Sequence, residues 1–574
     1  MSRFRVRTPL LIAAGLLALP GAANAAVPRT ETPIVSSSPQ TDVASSYVSI
    51  KVPLPSSAAA HPEKCDWLSY LRFRSTTGPA ESMKADAVTV LMPGIMEGAS
   101  AFDPLARNAV RAAKRRGRNI EVWALDRRSN CLEDLTGLNE YERTGDAKDA
   151  TNYYFGGAPA GGKTFAGWNV DDRFLADIGM EQTVQDYNAV LVNELPSQPW
   201  RESHVLCGGH SLGGPITQLF AGWDFDGDAK TTVDAGYRQC AAFVGFESML
   251  DLDLVEDSPQ LKAAIGFLTL GQTNFLRRVS VSALKSGKVP RHFKVGGLDP
   301  MSTMFMEAVG IGASKRPNDS ATPFMKSVPV DKEGLDSYLH LTGSVDLPHL
   351  IASKDSLRDY SYTNAGLLGQ LFDDNGAVFS GIRASFGYFN GSPMRISHLA
   401  DQVKNIPGIN IAFQQAPLML PFKAKAGTPA TGWANYDALG SGATQIGAGR
   451  TDASTEVTDA RDFARIQYEG PTNFTETYMP TRLMTDFASL IIGDRTQDLK
   501  GFRYKHPTRL KPRMVALGTS GAAKKAKLGS PDPFVMMTGY EHVDAITAAE
   551  KQNDGKPEGS STMLVDMIDR VVPR

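Results

Sequence analysis

At 574 residues, 42% of them hydrophobic and 21% charged, the chain has a globular composition, with room for about two to four average domains or one long catalytic unit with insertions. Its formal net charge of −2 leaves no basic excess to neutralise phosphates, which speaks against nucleic acid as a partner. The interior basic cluster Lys114-Arg115-Arg116 closes a predicted helix, where cations meet the negative dipole end, and reads as a solvated helix end.

In chain order, Arg3, Arg5 and Arg7 precede the apolar run Leu10 to Leu19 and the small-residue site Ala23-Asn24-Ala25. Residues 1–25 therefore read as a signal peptide, and the protein is expected to be secreted or periplasmic. No later run reaches the roughly 18 apolar residues of a spanning helix, so no stable membrane anchor is expected. Residues 26–60, rich in Pro, Ser, Thr and Ala without periodicity, predict a flexible linker.

Residues 61–250 alternate strands and helices. Trp67 to Phe73 reads as an edge strand, and Ala87 to Met92 as a buried one that ends in Pro93-Gly94-Ile95-Met96-Glu97-Gly98. Asp103-Pro104 can cap a helix with Leu105, Ala109, Ala112 and Ala113 on its apolar face, which Gly117 ends. A strand follows at Ile120 to Leu125. The connection 126–170 is long and holds Asp126-Arg127-Arg128, Glu133-Asp134 and Tyr153-Tyr154, so it reads as a functional loop. Its Asp126-Arg127-Arg128 group reads as a strand-end salt bridge before a carboxylate clamp. Helical periodicity returns at Val184, Tyr187 and Leu191, then come strands at Val205 to Gly209 and Ala241 to Phe246. Such alternation predicts a mostly parallel sheet covered by helices on both faces.

The alternation stops near 250 and resumes near 511. Residues 251–510 read as a large cap or lid insertion, with a capped helix at Ser258-Pro259, a methionine group at Met301, Met304 and Met306, and a polar loop at Gly432 to Thr458. Residues 511–574 complete the core with strands at Arg513 to Leu517 and Phe534 to Met537, and a helix through Met563, Leu564, Met567, Ile568 and Val571.

The chemistry centres on Gly209-His210-Ser211-Leu212-Gly213. A serine at a sharp strand-to-helix corner needs neighbours without Cβ atoms, because the backbone on either side crosses closely. The following helix would aim its first N–H groups and its positive dipole end at the serine oxygen. A base must come from the same sheet edge, and His542 in Gly539-Tyr540-Glu541-His542-Val543-Asp544 follows the last predicted strand. His210 points to the wrong side of the turn and reads as a neighbour. The orienting acid is Glu247, at the end of the strand after the serine, or Asp251, with Asp532 and Asp544 as further possibilities.

Ser211 in its G-x-S-x-G setting, an acid after a later strand and His542, in that order, resemble the α/β-hydrolase superfamily, in particular its secreted lipase- and esterase-like members. The resemblance implies an α/β-hydrolase fold and an oxyanion hole made by the N–H of Leu212 with that of Ile95 or Met96. It also implies a small-molecule ester as substrate and no cofactor. An acyl-enzyme leaves open whether water, an alcohol or an amine displaces the acyl group, so acyltransferase and amidase are alternatives. A catalytically silent binding protein is the reading from another class. A cap roofed by Met301, Met304 and Met306, which otherwise read as core, would favour apolar acyl or aryl esters.

Among the four cysteines a Cys65–Cys131 bridge is favoured, while Cys207 and Cys240 read as small packing residues. Asp224-Phe225-Asp226-Gly227-Asp228 places its glycine wrongly for a calcium loop, with Ala235 at position twelve, and reads as a solvated turn. No cysteine-histidine spacing suggests zinc, so no metal is expected. Nothing in the sequence fixes the oligomeric state.

Overall fold

The computed structural model describes residues 27–228, 230–248, 250, 279–294, 299–330, 334–403, 418–425, 427–440, 452–491, 499–504, 514–518, 534–537 and 539–574. A nine-stranded sheet runs in the spatial order β1 (Arg29–Ile34), β2 (Val43–Lys51), β3 (Trp67–Ser75), β5 (Ile120–Asp126), β4 (Ala87–Met92), β6 (Val205–His210), β7 (Ala242–Phe246), β12 (Met514–Gly518), β13 (Phe534–Met536). Neighbours from β5 to β13 are parallel, whereas β1, β2 and β3 pair antiparallel with one another and β3 pairs antiparallel with β5. This strand order, with β4 and β5 exchanged and an antiparallel start, is that of an α/β-hydrolase, and the chain has that fold. Two antiparallel ribbons, β8 (Gly387–Asn390) with β11 (Gly432–Asn435) and β9 (Met394–Ser397) with β10 (Leu418–Pro421), stand outside the sheet.

The strands at the centre read as near-continuous apolar runs because both faces are buried. Ala87 and Leu91 of β4, Val122 and Ala124 of β5, and Val244 and Phe246 of β7 point to one face. There they meet Leu105, Ala109 and Val110 of the helix Asp103–Arg115, and Leu564 and Ile568 of the helix Gly559–Val571. Val88, Val90, Trp123, Cys207 and Phe243 point to the other. That face is covered by Val184, Tyr187 and Leu191 of the helix Met180–Glu194, Ile216, Leu219 and Phe220 of the helix Gly213–Ala221, and Leu483 and Phe487 of the helix Thr481–Ile491. Each such side chain removed from water contributes about 1.5–3 kcal/mol, so the two layers hold the sheet edge that carries the candidate site.

Several expectations are corrected. Residues 26–60, read as a linker, carry β1 and β2, and β3 is therefore an inner strand instead of an edge. The cause is partner supply. The Ser-rich β2 has too little apolar periodicity to announce itself, but it pairs with β3 from Val43↔Ser75 to Lys51↔Trp67. The stretch 126–170 contains the helices Thr136–Thr144 and Ala147–Tyr154, and Tyr153 and Tyr154 are buried in the core. Short polar helices of this kind gain their stability from packing and not from propensity. Asp103 is the first helical residue and not the cap. Its carboxylate receives Arg107 at 2.8 Å and Arg465 as well.

Within 251–510, Met304 and Met306 lie on the helix Pro300–Lys315 and are buried in the same apolar cluster as Leu71 and Phe73, with Met301 packed against it, so all three serve as core. The expected signal peptide at 1–25 and the helix at Ser258-Pro259 fall outside the described residues. Among the described residues no helix is long and apolar enough to cross a membrane.

Candidate active site

β6 ends at His210 and the next helix begins at Gly213, so Ser211 and Leu212 make the whole corner. Ser211 has φ +49°, a left-handed conformation that costs a residue with a side chain about 1–2 kcal/mol. Its flanking glycines are required by contact. A Cβ on Gly209 would stand 2.7 Å from the Met92 carbonyl oxygen, and one on Gly213 would overlap that same oxygen. Two bonds fix the strained backbone. Ser211 N–H donates to the Phe246 carbonyl at 3.1 Å, and Ser248 Oγ donates to the Ser211 carbonyl. Ser211 is 8% exposed, and among the described residues its hydroxyl makes no hydrogen bond.

The loop after β4 turns over the serine. Glu97 N–H reaches the Gly94 carbonyl at 3.4 Å, Met96 adopts φ +55°, and a Cβ on Gly94 would lie 2.9 Å from Ser211 Cβ. Of the three expected oxyanion donors, the N–H groups of Ile95 and Leu212 have no hydrogen-bond partner among the described residues. Met96 N–H instead donates to Met479 Sδ at 3.2 Å, a weak acceptor.

His542, in the loop after β13, brings Nδ1 to 3.9 Å from Glu247 Oε1. Glu247 is the residue after β7 and has φ +40°, and the next residue is the Ser248 that holds the Ser211 backbone. Glu247 and Ser211 are thus tied to one turn. Asp251 and Asp532 fall outside the described residues. Asp544, though close to His542 in sequence, faces away. Its carboxyl takes Ser385 N–H at 3.0 Å, Ser385 Oγ, Thr458 Oγ1 at 2.7 Å and Glu541 N–H at 2.8 Å. Burial pushes it up to about 7 against those donors.

His210 is fully buried and occupied at both ring nitrogens. Nδ1 is 2.7 Å from Glu97 Oε1 and Nε2 is 3.0 Å from the carbonyl oxygen of His542. The other Glu97 oxygen takes Gly94 N–H at 2.6 Å. The His542 carbonyl can only accept, so Nε2 carries hydrogen, and when Glu97 is ionised Nδ1 must donate as well, which makes the ring an imidazolium. Burial works against that charge, yet Glu97 and the His542 carbonyl outweigh it and raise the His210 value. Burial likewise opposes the Glu97 charge, and His210 with Gly94 N–H outweighs it and lowers the Glu97 value.

One ion pair therefore joins the loop after β4, the serine corner and the histidine loop, with the two imidazole centroids 4.7 Å apart. From sequence alone His210 is only a neighbour of the serine and Glu97 is not singled out, so this pairing is a finding of the structure. The available signal was a carboxylate in the loop that arches over a strand-end histidine.

The pair makes a pH prediction. The share of His210 is fully present below its ordinary value of 6.5 and is lost as pH rises through its raised folded value. The share of Glu97 is present above its ordinary 4.5 and is lost as pH falls through its lowered folded value. Glu97→Gln should thus cost about 3–5 kcal/mol in the window between those ordinary values, because it leaves a buried charge unpaired. The gap between wild-type and variant melting temperatures should narrow on the alkaline side. A gap that is constant with pH would contradict the charged assignment.

Arg127 braces the same loop. It donates to Glu476 at 2.6 Å and to the carbonyls of Pro93 at 2.8 Å, Gly94, and Glu97 at 3.0 Å, while Arg128 pairs with Asp186 at 2.6 Å. Both are structural salt bridges, as the sequence favoured.

No protein-family model matches the chain, and no curated protein matches it. Among solved structures it is similar to an acetyl xylan esterase from Paenibacillus sp. R4, at 13% identity and TM-score 0.21 over 40% of this chain and 57% of that one. It is also similar to a peroxisomal alpha-beta-hydrolase from Saccharomyces cerevisiae, at 12% identity and TM-score 0.17 over 39% and 44%. A third likeness is to a juvenile hormone epoxide hydrolase from the silkworm Bombyx mori, at 10% identity and TM-score 0.30 over 92% and 78%. The chain spans about half the length of the first two. At these scores the fold rests on the strand order above.

Among the described residues one group of carboxylates, Asp224, Asp226 and Asp234, gathers oxygens within 4.8 Å. Within the turn Gly227 N–H donates to Asp224 at 3.0 Å, Thr231 Oγ1 to Asp226 at 2.6 Å and Asp226 N–H to Asp234 at 2.6 Å, and Arg503 from outside it forms an ion pair with Asp224 at 3.1 Å. Cys65 and Cys131 are bridged, as favoured. Cys207 and Cys240, read as packing residues, are bridged too. Cys240 lies just before β7, the strand beside β6, and the two Cα atoms are 5.9 Å apart, which is bridging distance.

Proposed function

We propose that this protein is an exported serine hydrolase that cleaves carboxylic esters through an acyl-enzyme. One observation carries the reading. Ser211, at φ +49°, stands at a sheet edge with the N–H groups of Ile95 and Leu212, which have no partner among the described residues, and with His542 Nδ1 3.9 Å from Glu247 Oε1. In this mechanism Ser211 Oγ attacks the ester carbonyl carbon while His542 Nε2 takes its proton and then returns it to the departing alcohol. Glu247 holds the imidazolium through Nδ1. The Ile95 and Leu212 N–H groups donate to the oxyanion, each such donor being worth about 10²–10³ in kcat. Water, deprotonated by His542, then releases the acid.

Export is supported by the leader pattern at 1–25 and by two disulfides, which persist in oxidising compartments. Met96, Leu212 and Met479 belong to one buried apolar cluster beside the serine and favour an apolar acyl or aryl group. A panel of p-nitrophenyl esters should therefore show higher kcat/KM for short to medium acyl chains than for acetate. A preference for acetate would remove the apolar-acyl reading, and hydrolysis of none of them would remove the ester reading. Transfer to added alcohols or amines in place of water would make the protein an acyltransferase.

A further inference from the structure

At one level of the sheet, Thr30 of β1 pairs with Ser49 of β2, Ser49 with Ser69 of β3, and Ser69 with Asp126 of β5. Residues opposite one another in a sheet share a face, so four polar side chains form a single row across four strands. Ser49 and Ser69 join through a hydrogen bond of 2.8 Å. Tyr47 and Trp67 each precede the serine of their own strand by two residues. Because β2 and β3 are antiparallel, these rings fall on the same face on opposite sides of the row. Further along that face come Leu71, Phe73, Val122 and Ala124, which are ordinary core. The row marks the place where the covering layer leaves the sheet, and a cavity of about 430 Å3 opens over it. That volume falls within the roughly 300–1,000 Å3 of small-molecule pockets.

The lining selects the ligand. Its guanidinium groups, Arg127 and Arg128, are already engaged by Glu476 and Asp186, which leaves Lys64 at the rim as the remaining cation. Burial pushes Asp126 up to about 7, and burial with the nearby Glu307 pushes Glu133 well above the usual carboxylate range, which weakens the attraction for a cation. An apolar ligand would strip water from the hydroxyl row without replacing its hydrogen bonds, at a cost for each unmet group. Paired aromatic walls with a hydroxyl floor suit a molecule with apolar C–H faces and a hydroxyl edge.

We propose that this cavity binds a neutral polyhydroxylated ligand of sugar size, with its hydroxyls on Thr30, Ser49, Ser69 and Asp126 and its C–H faces against Tyr47 and Trp67. The site is independent of the ester-hydrolase reading, since none of these residues belongs to the Ser211 machinery.

Titration calorimetry on the purified protein with glucose, xylose, galactose and maltose in turn, and with propionate and propylammonium as charged probes, tests it. At least one saccharide should bind with a Kd of about 1 mM or tighter, and neither ion should match it. Trp67→Ala should weaken that binding by about tenfold or more while ester turnover and melting temperature stay at wild-type values. Asp126→Asn, which keeps a neutral hydrogen-bonding group, should stay within about threefold. If Trp67→Ala does not fold, Ser69→Ala serves in its place and should also weaken binding. Absence of saccharide binding at about 10 mM, preference for either ion, or saccharide binding untouched by both Trp67→Ala and Ser69→Ala would each overturn the proposal.

Discussion

Ser211→Ala should lower kcat on the best p-nitrophenyl ester by at least about 10⁴-fold while the protein stays folded. The substitution removes only Oγ, which among the described residues makes no hydrogen bond. The Cβ remains, so the positive-φ corner is no more strained than before. The backbone bonds to the Phe246 carbonyl and from Ser248 Oγ also remain. Melting temperature should therefore change by no more than a few degrees, since no named source of large destabilisation is touched. Adding His542→Ala to Ser211→Ala should cost almost nothing further, because nucleophile and base act as a unit. Purified variants compared by steady-state kinetics and thermal unfolding decide this. Activity of Ser211→Ala within tenfold of wild type would place the chemistry elsewhere.

Glu247→Gln and Asp544→Asn should separate an acid that orients the base from one that holds the fold. Glu247 lies 3.9 Å from His542 Nδ1, and an amide there cannot stabilise the imidazolium and can present a donor to a donor. A loss in kcat of about 10²–10⁴ with little change in melting temperature is expected. Asp544 instead receives the Ser385 and Glu541 N–H groups and the Thr458 hydroxyl in a buried knot. An Asn turns one acceptor into donors that face donors, at about 1–3 kcal/mol each. Asp544→Asn should therefore lower the melting temperature and leave kcat per folded molecule within a few-fold. Equal, small kinetic losses in both variants would mean that Glu247 does not serve as the acid.

How far the sequence could be read follows from which constraints are local. The Gly209-x-Ser211-x-Gly213 corner was legible because its glycines answer a contact with Met92, and such a need is written in the spacing itself. Glu247 was legible as a strand-end acid, and the geometry brings it to the His542 ring. The His210–Glu97 pair was not, since its partners are 113 residues apart and neither spacing nor periodicity links them. The same holds for Cys207 and Cys240, whose bridge depends on β6 and β7 lying side by side. β1 and β2 were hidden by a polar pattern that is stable only beside β3. Met304 and Met306 could be core or roof by composition, and only the tertiary packing assigns them to core.

The central claim is that Ser211 is an activated nucleophile, and covalent labelling addresses it without knowledge of the natural substrate. Purified wild-type protein treated with a fluorophosphonate probe and digested should carry a single adduct, on the peptide that contains Ser211, and Ser211→Ala of unchanged fold should carry none. Wild-type protein that is folded yet unlabelled, or equal labelling of Ser211→Ala, would contradict the account.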